Sequence, residues 1–161
     1  MKYPEIAQEL LAMRETDQSM RRKLREGGVW DGTVDKKNTA RLREMVADIG
    51  WPTISKVGED ASYAAWLIVQ HADHEVEFQE QCLELMRAAE DDVDPANVAL
   101  LTDRTRVGRN KLQVYGTQFY RHQLSDDYVP RPIEDEVNVN MRRASVGLPT
   151  LEEDARILNK K

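Results

Sequence analysis

The chain has one cysteine, Cys82, three histidines, and no apolar run approaching 18 residues. A single thiol excludes an internal disulfide and any cysteine-based metal cluster. Without a long apolar run there is no candidate transmembrane helix. The opening Met1-Lys2-Tyr3-Pro4-Glu5 lacks the n-region and h-region of a signal peptide, so a cytoplasmic location is expected. Positive charge is also in deficit, with 23 Lys and Arg against 29 Asp and Glu for a net charge of -6. Nucleic acid and anionic membrane surfaces both favour a net basic face, so neither is an expected partner. Phosphate-cradling glycine loops are missing, because Gly27-Gly28 and Val107-Gly108 lack the required neighbours. So is a Gly-x-Ser-x-Gly nucleophile elbow, and Cys82 lies among glutamates that disfavour a thiolate.

What remains is a helix-rich composition. The 161 residues are 40% hydrophobic and 32% charged, enough for one domain over residues 1–161 that buries a core unaided. Helices are predicted over Glu5 to Arg25, ended by Gly27-Gly28, and over Asp35 to Ile49, closed by Gly50 and Pro52. The most apolar stretch runs from Glu59 to Ala89. At thirty residues it is long for one helix, so a break is expected near Asp73 to Glu77. Asp94-Pro95 starts a further helix that stops at Gly108. Leu112 to Phe119 alternates with β-formers, and Tyr128-Val129 offers a return strand. Helices follow near Glu134 to Ser145 and from Thr150, where Glu153 completes a capping box. The expected fold is mainly α, a compact multi-helix domain with one small β-hairpin.

Polar residues interrupt the apolar stripes. Asp17 falls four after Met13 and three before Met20; Asn38 falls four before Leu42. His71 falls four after Leu67 and seven before Phe78, and Asp103 falls three after Leu100 and four before Val107. An unpartnered buried charge costs several kcal/mol, so these four are best explained if they meet. Each alone has a plain structural reading. A histidine on an apolar face is usually a satisfied core residue, Asp17 or Asp103 could pair with a neighbouring arginine, and Asn38 could hydrogen-bond a helix turn. The basic runs Arg21-Arg22-Lys23-Leu24-Arg25 and Arg142-Arg143 read as solvated faces.

If the four converge, the chemistry is acid–base. His71 would be the general base or acid, oriented by Asp17 or Asp103. Asn38 and, from the alternating strand, Gln113, Tyr115, Thr117 and Gln118 would hold a small polar or peptide-like substrate. His71-Ala72-Asp73-His74-Glu75 is not the zinc motif with histidines at i, i+4, and a di-iron pair of Glu-x-x-His repeats is absent. No metal and no cofactor is expected. Hydrolysis, elimination or cyclisation would suit such a site. The competing readings are a ligand- or peptide-binding accessory protein, and a purely structural hydrogen-bond network.

The runs Gly50-Trp51-Pro52-Thr53, Ala65 to Asp73 (AWLIVQHAD), Leu101-Thr102-Asp103-Arg104, Gln113 to Gln118 (QVYGTQ) and Arg142 to Leu148 (RRASVGL) together resemble a bacterial family catalogued as a domain of unknown function. The resemblance extends from about Leu11 to Arg156 and includes Asp17-Gln18 and Asn38. It implies a compact domain with these recurring polar residues and brings no activity. The chain departs from the family pattern at His74-Glu75-Val76, where Asp-Pro is usual.

Overall fold

The computed structural model describes residues 1–160. Eight α-helices and one two-stranded antiparallel sheet occur among the described residues, and the chain is mainly helical. Two compact units are formed, one of Met1–Val93 and one beginning at Asp94. No helix among the described residues is long and apolar enough to cross a membrane.

The first unit contains α1 (Pro4–Arg25), α2 (Gly32–Ile49), the single turn α3 (Ile54–Val57), α4 (Glu59–Gln70) and α5 (Val76–Ala88). Proline at N1 opens α1, and the Asp31 carboxylate accepts from the Thr33 amide to open α2. Helix α4 packs chiefly against α1 and α2. Its buried Ala61, Ala64 and Ala65 present little side-chain bulk there, while Leu10, Met13, Leu42 and Met45 fill the space from the other helices. The residues that follow Gly50 and Pro52 hold the short α3.

The expected break in the third apolar segment lies at residues 71–75, slightly earlier than the Asp73 to Glu77 expected from the segment's length. A buried side chain seals it. Fully buried Gln79 donates from Nε2 to the carbonyls of Val69 and Gln70 and to the Asp73 carboxylate. It thereby satisfies acceptors that the end of α4 leaves open. His71 becomes the C-terminal cap of α4, its amide bonded to the Leu67 and Ile68 carbonyls.

In the second unit, Asp94 caps α6 (Pro95–Gly108) by accepting from the Ala96 amide. The sheet pairs β1 (Phe119–Arg121) with β2 (Tyr128–Pro130), and α7 (Val139–Ser145) and α8 (Leu151–Leu158) follow. Thr150 and Glu153 form the capping box expected for α8. The hairpin exists, but its first strand is displaced. Residues 112–118 form a loop in which Gln113 alone bridges Ile133, so Gln113, Tyr115 and Thr117 do not share the face of a strand. Gly116 explains why the extended run fails, since its φ of +67° lies in the left-handed region. A Cβ there would also approach Ile133 Cδ1 at 2.7 Å and Leu151 Cδ1 at 3.0 Å. Gly116→Ala is therefore expected to destabilise the fold by about 1–2 kcal/mol, read from urea denaturation. An unchanged midpoint would show that this loop relaxes freely.

Candidate functional site

Three helices of the first unit bring ionisable side chains together. On α1, Asp17 lies on the inner stripe and is 1% exposed. On α2, Asp35 falls seven before Leu42, on the same face, and is also buried. At the end of α4, the His71 ring is partly exposed and its Nδ1 lies 2.8 Å from Asp17 Oδ1. A donor atom from each of Asp17, Asp35 and His71 lies within 4.8 Å of the others.

Arg21, one turn beyond Asp17, joins the carboxylates. Its Nε lies 3.3 Å from both Asp17 oxygens, and its Nη2 donates to Asp35 Oδ1 at 2.9 Å. The half-exposed Trp30 ring lies against the guanidinium, 5.3 Å from centroid to Cζ. Gln18 Nε2 donates to the second Asp17 oxygen at 2.7 Å. Asn38 is buried beside the group but turns elsewhere, donating to the Met13 carbonyl at 3.3 Å and so tying α2 to α1.

The two carboxyls respond oppositely to this setting. Burial pushes Asp17 up, but the hydrogen bond and charge of His71, the charge of Arg21 and the Gln18 amide outweigh it and hold Asp17 below the usual carboxylate range. For Asp35 burial prevails over Arg21 and His71, with the nearby Asp17 charge adding to it, and its carboxyl is raised. Asp17 stabilises the fold above the ordinary carboxylate range and loses that contribution on acidification. Ionising Asp35 opposes folding as pH rises through its raised value.

The three donors have a spacing that could hold a divalent cation. Arg21 already supplies the positive charge between the carboxylates, however, and a metal ion would have to displace it. The arrangement is better suited to moving a proton. His71 Nδ1 is committed to Asp17, while Nε2 has no hydrogen-bond partner among the described residues. Cys82 is not a nucleophile in reserve: burial pushes its thiol up to about 12. A cleft of about 390 Å3 lies on another flank of α1, walled by Thr16, Met20, Lys23, Val29 and Val34; neither Asp17 nor His71 lines it.

The remaining sequence candidates belong to the second unit, where they build a loop. Asp103 is fully buried, and its Oδ1 accepts from the amides of Val114 and Tyr115. Its Oδ2 accepts from the amide and hydroxyl of Thr117. Gln113 donates to the carbonyls of Gln118 and Arg131 and accepts from the Gln118 amide. Gln118 in turn accepts from Arg104 and donates to the Thr117 hydroxyl. Only the Tyr115 hydroxyl of this set has no partner among the described residues.

Of the four residues that interrupt the apolar stripes, only Asp17 and His71 meet, and they are joined by Arg21 and Asp35, which the stripes did not single out. The signal for Asp35 was available in its place seven before Leu42. Arg21 was obscured by three basic neighbours in the run Arg21 to Arg25, which reads as one solvated face. No curated protein and no solved structure is significantly similar to the chain. The profile of the family of unknown function DUF6624 matches residues 4–161, and the chain belongs to that family.

Proposed function

We propose that the protein is a small acid–base enzyme, of hydrolase or lyase/cyclase type, acting on a polar or peptide-like molecule. The observation that carries this reading is the 2.8 Å contact between His71 Nδ1 and a carboxylate that is 1% exposed, on a ring whose Nε2 has no partner among the described residues. With Nδ1–H donated to Asp17, the lone pair of a neutral ring lies on Nε2. That atom can take a proton from water or from an acidic substrate position, and the imidazolium so formed faces the ionised Asp17. The same Nε2–H then returns the proton to a leaving group. Asp103 is given a scaffolding role, since four donors from its own unit already fill its oxygens.

The wider setting follows from charge and thiol content. A net charge of -6 disfavours nucleic acid and anionic membranes as partners, and one free, buried cysteine suits a bacterial cytoplasm.

A panel of dipeptides, amides, esters and lactams, followed by product NMR, tests the reading. The unmodified protein is expected to convert at least one class. His71→Gln is expected to lower kcat/KM about 100-fold with the melting temperature nearly unchanged. Equal turnover by His71→Gln would overturn the assignment. Saturable binding with no conversion by the unmodified protein would instead identify a ligand-binding accessory protein.

A further inference from the structure

Two carboxylates surround one imidazole in this cluster, and the geometry points to how they are kept from competing. Asp35 and Asp17 both place an oxygen within 4.8 Å of a His71 nitrogen. Two free anions at that range would draw a second proton onto the ring and hold it there, which removes the lone pair that a base needs. Arg21 is placed to prevent this, with Nη2 on Asp35 and Nε across both oxygens of Asp17.

We propose that Arg21 is a positioning residue, whose guanidinium cancels Asp35 so that Asp17 alone addresses the His71 ring. The proposal rests on the acid–base reading above and names a residue that reading does not require. Charge arithmetic supports it. With a neutral ring, both carboxylates ionised and Arg21 charged, the group carries one net negative charge; without Arg21 it carries two. Trp30 adds a geometric restraint, its ring lying 5.3 Å from the guanidinium carbon. A cation–π contact of this kind, together with the two-armed bridge to the carboxylates, suits a planar guanidinium better than a flexible lysine.

The other charged groups on neighbouring elements are accounted for. Arg43 on α2 pairs with Glu75 in the loop after His71, and its guanidinium lies over Phe78. Asp73 accepts from Gln79. His74 Nε2 lies 3.8 Å from Glu75, and Glu77 has a partner of its own. Among the hydrogen bonds and ion pairs described, only Arg21 joins Asp35 to Asp17.

Nitrogen-15 NMR of the histidine rings, titrated with pH, tests this without a substrate. In the unmodified protein the neutral His71 ring is expected to carry its proton on Nδ1. Arg21→Met is expected to raise the ring's affinity for its second proton about tenfold, the scale of one unit charge removed at this range. Arg21→Lys is expected to keep it within about threefold, and Arg21→Met with Asp35→Asn to return it to near the starting value. Asp35→Asn alone is expected to lower it a few-fold, and if Arg21→Met by itself does not fold, the difference between Asp35→Asn and the double variant decides, since only a guanidinium charge felt at the ring separates the two. A merely structural Arg21 would leave Arg21→Met within about twofold of the unmodified protein and the double variant within about twofold of Asp35→Asn, and that result would overturn the proposal. A neutral ring protonated on Nε2 would instead overturn the acid–base reading, whatever the Arg21 variants show.

Discussion

Arg143→Met is expected to destabilise the second unit by about 4 kcal/mol. Arg143 has no exposed surface, yet it carries a full charge on α7. Its Nε donates to the Pro149 carbonyl at 2.6 Å, and its Nη1 to the carbonyls of Tyr115 at 2.8 Å and Gly116 at 3.3 Å. Its Nη2 pairs with the Asp154 carboxylate on α8. One guanidinium therefore links the 114–117 loop, the turn before α8 and α8 itself. Methionine preserves much of the apolar stem but supplies no donor. Three carbonyls and a partly exposed carboxylate lose their partner together, each at a cost of about 1–3 kcal/mol, partly recovered by water. For a chain of this length the melting temperature would fall by about 10 °C. A loss below about 1 kcal/mol would mean that the loop and turn are held by packing rather than by this hub.

The second large effect concerns Asp103→Asn, an isosteric change that leaves no cavity. The carboxylate accepts two hydrogen bonds on each oxygen, at 2.8, 3.0, 2.9 and 2.9 Å. An amide retains one accepting oxygen and turns an NH2 group toward two donors. Donor then faces donor in a fully buried position, and a loss of about 3 kcal/mol is expected. Hydrogen exchange should show it locally, with the amides of Val114, Tyr115 and Thr117 losing protection before those of α8. Uniform loss of protection would argue against a local role. The experiment also separates scaffolding from catalysis: the His71 ring titration is expected to stay unchanged in this variant.

Much of the helical framework was legible in the chain. The stops at Gly27-Gly28 and Gly50, the Asp94-Pro95 start and the Thr150 capping box are local devices, each settled within four residues. The 112–118 segment was misread because alternating β-formers are only a weak local preference. Hydrogen bonds from Asp103, Gln113 and Arg143 fix that backbone instead, and their partners lie up to 28 residues away.

The pattern of buried polarity was likewise visible, and its partners were not. Asp17, Asn38, His71 and Asp103 each interrupt an apolar stripe, and three of the four are buried while His71 stays partly open. Periodicity gives the face on which a side chain lies, because 3.6 residues complete a turn whatever surrounds the helix. It carries no information about height along a neighbouring helix or about rotation around it. Asp17 therefore met His71 and Arg21, Asn38 met a backbone carbonyl, and Asp103 met its own loop. The sequence by itself determined that polar groups would be buried in a helical protein. Only the packing of α1, α2 and the end of α4 decided that Arg21 and Asp35 would complete the cluster around the imidazole, because which buried charges can neutralise one another is set by distances across helices.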